Sequence, residues 1–383
     1  MTIPTTTDVL VVGAGPAGLA TAITLAAEGV DVTVVDATAE HANTSRAAVV
    51  HARTLEVLDR IGVAKPLAEL GIHARRFTVR DRDRVLVPVR FDDLPSAYPY
   101  TLMVPQHVTE QVLRDRLTEL GVRVHRPVRA TGLTSYDDHV AVTLDSGETI
   151  RAGYVVGADG MHSVVRDLAG LGFDGETLPQ SLSLADIRIE DGGLPADEVV
   201  LYFSTRGMLV SAPLPDGSYR IVTAVDPAPE DPDVAFVQRL LDERGGRHPR
   251  AVVREVVWGS RFRIQERVAS SYRAGRVLLA GDAAHTHSPA GGQGMNLGLR
   301  DAVALGSALA RALGGDDAGL DDYATANRAE ALRVVGLAHR LTRLATLPAF
   351  IRPLRNLALR LAASRAGFRR TLALQLAGLT DRS

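Results

Sequence analysis

The chain has 383 residues, 46% hydrophobic and 23% charged, with a formal net charge of −2. That length suits two intimately packed domains, and the near-neutral balance excludes a global pull toward nucleic acid or an anionic membrane. The absence of cysteine removes disulfides, thiolate metal sites, thiol nucleophiles and flavin enzymes that pass electrons to a cysteine pair.

The N-terminus, MTIPTTTDVL, has no basic region and no long apolar stretch, and no apolar run reaches membrane-spanning length. A cytoplasmic protein without a transmembrane segment is the expectation. The basic residues are nearly all Arg, with Lys65 almost alone, which reads as coding bias. Residues 8–12, DVLVV, form a β-branched run that stops at glycine. A small-residue segment, residues 16–27, ends at Gly29, and DVTVVD follows as a second such run. This predicts strand, helix and strand, with Gly29 ending the helix, and hence a parallel pair with a right-handed crossover. Val108, Val112, Leu113, Leu117 and Leu120 share one helical face. Residues 122–124 and 140–144 read as strands, as do YVVGADG at 154–160 and RVLLAGD at 276–282, and residues 297–313 as an Ala- and Leu-rich helix. Residues 76–100 and 181–264 lack this rhythm and alternate in short strands, such as 219–225. The stretch 331–380 carries several arginines and no acid, broken by Pro348 and Pro353. It predicts amphipathic helices packed on the core, with contact to a membrane or an acidic partner as the minor reading.

Gly13-Ala14-Gly15-Pro16-Ala17-Gly18 fits G-x-G-x-x-G and lies between a predicted strand and a predicted helix, as the motif requires. Gly13 permits a tight turn, Gly15 lets a pyrophosphate reach the backbone, and Gly18 lets the helix approach the strand. The helix N-terminus then offers free N–H groups to phosphate. Asp36, at the end of the next strand, is placed to accept a ribose hydroxyl.

This motif does not choose between FAD and NAD; a second cluster does. Gly281 and Asp282 end an apolar strand, and Pro289-Ala-Gly-Gly292-Gln-Gly294-Met295-Asn296 precedes a helix. A carboxylate at a strand end suits a ribityl chain, and glycine backbone suits an isoalloxazine edge with a helix dipole behind it. The expected fold class is α/β. A Rossmann-like FAD-binding domain (1–75, 101–180 and 265–345) takes an inserted antiparallel-sheet substrate domain (76–100 and 181–264), with C-terminal helices over 346–383. His285 and His287 lack a ligand set for a metal and read as packing.

Three fingerprints now stand in order: the glycine loop, Gly157-Ala158-Asp159-Gly160 followed by Ser163 and Arg166, and Gly281-Asp282 with its 289–296 loop. In this combination the chain resembles class A flavoprotein monooxygenases, the aromatic hydroxylases similar to p-hydroxybenzoate hydroxylase. Residues 50–59, VHARTLEVLD, look like those of members acting on polyketide-derived aromatics. Arg53 and Glu56 there also suit a simple helix-face pair. Larger members carry a thioredoxin-like C-terminal domain that this sequence lacks, so compact members such as tetracycline-modifying monooxygenases are the closer likeness.

The resemblance implies non-covalent FAD, with NADPH or NADH as a transient reductant. It implies that Asp159 serves FAD binding and coenzyme approach, and that Asp282 contacts the ribityl chain. Arg46 and Gln106 would contact the phosphate or adenosine part, and Pro289 would lie near the face where oxygen reacts. Reduced flavin would take up O2 as a C4a-hydroperoxide that an electron-rich phenol or enol attacks. No catalytic side chain besides the flavin is named. Arg206, Tyr219, Arg261 and Phe262 are candidates for substrate contact, although sheet packing explains each as well, and Trp258 is a core or wall residue. The expected partners are a small aromatic molecule, NAD(P)H and O2, with no nucleic acid, in a monomer or homodimer. The readings from other classes are a Baeyer–Villiger enzyme, a flavin reductase or dehydrogenase, and a non-catalytic FAD-binding protein. A halogenase is disfavoured because its W-x-W-x-I-P segment is missing.

Overall fold

In a computed structural model of the chain, residues 3–39, 47–190, 192–289, 291–345 and 347–380 are described. The first strand, Thr6–Val12, is buried along most of its length and lies parallel between Val32–Val35 and Thr149–Gly157. Val277–Leu279 extends this parallel set on one side and Val124–His125 on the other. A β-branched run buried on both faces is what such a sheet demands. A hairpin of Ala130–Ser135 and Val140–Leu144 adds antiparallel strands to Thr149–Gly157.

The helix Pro16–Ala27 crosses over from the first strand and packs against the helix Gly294–Leu313. Small residues let the two approach closely. A Cβ on Gly306 would sit 2.6 Å from Thr24 Cβ, and the Thr21 hydroxyl donates to the Ala302 carbonyl at 3.4 Å.

The second sheet has eight strands. In spatial order they are His285–Thr286, Val253–Ala269, Phe173–Ile189, Tyr219–Ala224, Gly207–Pro213, Glu198–Ser204, Arg76–Asp81 and Arg84–Arg90. All neighbours are antiparallel except Glu198–Ser204 with Arg76–Asp81. Strands from both 76–100 and 181–264 lie in this one sheet, together with 173–180, 265–269 and 285–286. Its two long strands, Phe173–Ile189 and Val253–Ala269, pair from end to end. The limits drawn at 180/181 and 264/265 therefore fall inside continuous strands, with a register shift between Thr177 and Ser181 at the first of them. A small three-stranded sheet of Val49–Val50, Thr101–Met103 and Ile72–Ala74 is hydrogen-bonded to neither larger sheet but packs on the second through Ala74, Met103, Val199 and Ala212.

The helix Ala318–Ala345 precedes the break at Pro348, and the helices Arg352–Ala363 and Ala366–Leu376 follow it. They pack on the strand Arg84–Arg90 through a cluster that includes Val87, Phe91, Phe203, Ala363 and Ala373. No described helix is long and apolar enough to cross a membrane.

Candidate flavin and substrate site

At the end of the first strand Gly13 has φ +105°, and a Cβ there would lie 2.3 Å from the Ala158 carbonyl oxygen. A Cβ on Gly18 would lie 1.9 Å from the Gly13 carbonyl oxygen. Both positions are closed to any side chain. Gly15 is the opposite case, because a Cβ there meets nothing within 4 Å and would project into a cavity that Gly13, Ala14, Gly15, Pro16 and Ala17 line. The helix beginning at Pro16 has no side-chain cap and no acid in its first turn. An uncapped helix N-terminus opening on empty space fits a pyrophosphate.

Asp36 accepts the Ala14 N–H at 2.7 Å and the Thr38 N–H at 2.9 Å, with a further short hydrogen bond from the Thr38 hydroxyl. Arg126 forms an ion pair with it at 2.9 Å and also reaches the Thr38 and Ala14 carbonyls. Asp36 is therefore a braced carboxylate on the cavity wall, with Arg126 beside it on the same wall. This partner arrives from a strand end ninety residues away and has no local signal in the sequence. Gln106, also on the wall, donates to Glu110 and accepts from the Ala47 N–H. Arg46 lies outside the described residues.

Asp159 caps the helix Val164–Leu168. Its carboxylate accepts the Ser163 hydroxyl and the N–H groups of Val164 and Val165. Burial pushes its pKa up, and those hydrogen bonds, led by Ser163, offset part of that. The buried Arg166 donates to the carbonyls of Met161 and Ala283, at 3.1 and 3.2 Å. One guanidinium thus ties the Asp159 loop to the Asp282 loop and fixes two carboxylate-bearing strand ends relative to each other.

Gly281 (φ +63°) turns the chain beneath the helix Gly294–Leu313. Asp282, Pro289, Gly292, Gly294 and Met295 all line the cavity. Asn296 does not. It is buried, donating to the Val49 and Gly292 carbonyls and accepting the His51 N–H. It braces the loop. Gly18 likewise serves helix packing and is not part of the wall.

Three histidines surround this loop. His51 shares a hydrogen bond with the Gly291 carbonyl at 2.9 Å, and burial lowers its pKa to about 4. His287 shares one with the Ser288 carbonyl at 2.8 Å, and burial again lowers its pKa to about 4. His285 contacts Asp301 at 2.6 Å, with both side chains fully buried. Among the described residues Glu176, Glu266 and His339 come close enough to share a metal ion; His285 and His287 take no part in that group.

The cavity continues from this cradle between the second sheet and the C-terminal helices, for a total of about 1330 Å³. Single-ligand pockets run to about 300–1,000 Å³, so this space accommodates a dinucleotide and a second molecule. The far part is apolar, walled by Phe77, Val79, Phe91, Leu201, Phe203 and Phe262 from the sheet side and by Leu359, Phe368, Leu372 and Leu376 from the helices. Of the substrate candidates, Phe262 and Arg261 line it. Tyr219 does not: its ring packs among Leu194, Val237 and Leu241 on the other face of the sheet, and its hydroxyl donates to the Leu194 carbonyl. Arg206 sits exposed at the turn after Glu198–Ser204 and is not brought to the cavity. Trp258 is outside the wall, near Arg220. The sequence reading missed the helical wall, although Phe368, Leu372 and Leu376 recur at four-residue spacing and could have shown it. Arg53 and Glu56 do form the helix-face pair, at 3.1 Å.

Comparison with known proteins gives a consistent result. A family model described as "FAD binding domain" matches residues 6–338. A 6-methylpretetramide 4-monooxygenase from Streptomyces rimosus is 40% identical over 354 residues, which is 88% of this chain and 61% of that protein. The chain therefore spans about three fifths of the length of this relative. Among solved structures, p-nitrophenol 4-monooxygenase PnpA from Pseudomonas putida DLL-E4 superposes with a TM-score of 0.86 at 27% identity, covering 99% of this chain and 100% of that one. The anhydrotetracycline hydroxylase OxyS from Streptomyces rimosus gives 0.80 at 33% identity, covering 98% and 77%.

Proposed function

The chain belongs to the FAD binding domain family, and from that premise we propose that it is an FAD-dependent monooxygenase that hydroxylates an electron-rich aromatic, with a polycyclic phenol of polyketide type as the preferred class. The observation that carries this reading is the single cavity that runs from the glycine cradle into an apolar chamber too large for a flavin alone. FAD, when bound, supplies the redox chemistry, drawing electrons from NAD(P)H and oxygen from O2.

The rest is the work of this chain's own residues. Gly13 to Ala17 would hold the pyrophosphate, Asp36 and Gln106 would serve the adenosine side, and Asp282 with the Gly292–Met295 turn would serve the ribityl chain and ring. Pro289 lines the same cavity. The sheet and helix walls orient a flat apolar substrate and exclude water, which protects a reactive oxygen donor from hydrolytic loss. His51 and His287, held neutral by burial, add no cation to the cavity wall at neutral pH.

The relatives named for tetracycline-type substrates support the polycyclic class. The match to p-nitrophenol 4-monooxygenase over that protein's whole length supports a second reading, a single-ring phenol. NADPH and NADH oxidation measured against tetracyclic phenols, anthraquinones and nitrophenols, with product mass, separates them. Stimulation by the tetracyclic compounds with a hydroxylated product is expected. Stimulation only by nitrophenols selects the second reading. Coenzyme oxidation without any oxygenated product returns the chain to the reductase class.

A further inference from the structure

The helix Arg352–Ala363 has two apolar faces. The inner one carries Leu359 into the cavity wall and is anchored by buried Arg355 and Asn356, which donate to the Phe203 carbonyl at 2.9 and 3.0 Å. The outer one carries Leu354, Leu357 and Leu361, which are 66%, 52% and 62% exposed, and Phe350 is 83% exposed. Leu354, Leu357 and Leu361, spaced three and four residues apart, make one stripe along the helix, and Phe350 lies in the turn just before it. A surface helix ordinarily turns charge toward water on that side.

The segment that carries this stripe holds charge of one sign, while Asp81 of the second sheet meets the helix on its inner side, accepting from Asn356. Residues 331–380 contain nine arginines and no acidic residue, in a chain whose total is −2. Arg343, Arg360, Arg365 and Arg370 are exposed, and none of them forms an ion pair among the described residues. The near-neutral total therefore hides a segregated distribution: this end is strongly positive and the remainder is acidic.

We propose that the outer face of the helix Arg352–Ala363 docks on a lipid bilayer carrying anionic head groups, with Phe350, Leu354, Leu357 and Leu361 entering the interface and the surrounding arginines meeting the head groups. An exposed apolar line flanked by arginine is the pattern that binds in the plane of such a surface. A straight single-helix line, without a groove, needs no shape-matched partner. A second copy of this chain is disfavoured as the occupant, because it would set arginine against arginine. The docked helix is the same one that walls the substrate chamber, so an apolar substrate dissolved in the bilayer would lie one helix away from it.

Flotation of the holoenzyme with phosphatidylglycerol–phosphatidylcholine vesicles tests this. The wild type is expected to float with anionic vesicles at low salt and to stay behind with pure phosphatidylcholine or at high salt. L354E/L361E is expected to reduce the floated fraction by at least about tenfold. Both positions are already exposed, so flavin content and melting temperature of this variant should match the wild type. No flotation with anionic vesicles, or equal flotation of the variant, overturns the proposal. A dimer seen by light scattering that L354E/L361E converts to monomer also overturns it and assigns the stripe to a second copy.

Discussion

Gly13 and Gly15 are two residues apart and respond differently to one methyl group. Gly13→Ala would drive a Cβ into the Ala158 backbone at a positive φ, so loss of soluble folded protein is expected. Gly15→Ala meets no protein atom. Its unfolding free energy without cofactor should stay within about 0.5 kcal/mol of wild type, while FAD affinity measured by fluorescence falls at least about tenfold. Equal FAD affinity in the two proteins would remove Gly15 from the pyrophosphate cradle. His51 and His287 set an acid limit. Each is neutral when folded down to about pH 4, against 6.5 as the ordinary value, so unfolding takes up protons below that ordinary value. Their stability is complete above about pH 6.5 and is lost as pH falls toward about 4, by about 2 kcal/mol each at pH 5. Denaturant midpoints between about pH 7 and pH 5 should fall for the wild type and fall less for His51→Gln. The glycines and strand-end carboxylates were legible in the sequence because each is tied to local geometry. Arg126 was not, because its partnership with Asp36 exists only after two distant strand ends meet.

At the level of elements, Arg166 joins the loop after Thr149–Gly157 to the loop after Val277–Leu279. Arg166→Ala should cost about 2–3 kcal/mol, since it leaves buried carbonyls without a donor, and the purified protein should carry less flavin. Unchanged flavin content with the full stability loss would limit Arg166 to a purely structural role. The alternation of strand, helix and glycine turn made the parallel sheet readable. The second sheet was readable only as a class, because the period of two does not reveal which strands neighbour each other. The parallel pairing of Glu198–Ser204 with Arg76–Asp81 and the two 17-residue strands that cross the expected domain limits come from tertiary pairing. The C-terminal helices were readable as helices but not as a wall. Leu372→Trp should narrow the chamber, raising KM for polycyclic substrates severalfold while kcat with a single-ring phenol stays close to wild type. An unchanged KM would place the substrate elsewhere.

Across the whole molecule, one cavity unites parts that are far apart in sequence: the glycine loop, the 281–296 segment, the inserted sheet and the last helices. Two long strands run from the flavin-binding part into the second sheet, and a shared enclosed space suits a reaction that must exclude water between two bound molecules. The charge distribution is likewise a property of the whole molecule, since a total near zero conceals a basic end that no composition figure reports. The central claim is that this cavity passes an oxygen atom from O2 to an aromatic held beside FAD. The direct measurement is mass spectrometry of the product formed by the purified holoenzyme with NADPH, a tetracyclic phenol and isotopically labelled O2. The claim predicts one labelled oxygen atom in the product for each turnover. Coenzyme oxidation with unlabelled product, or with hydrogen peroxide as the only fate of O2 for every aromatic tried, would contradict it.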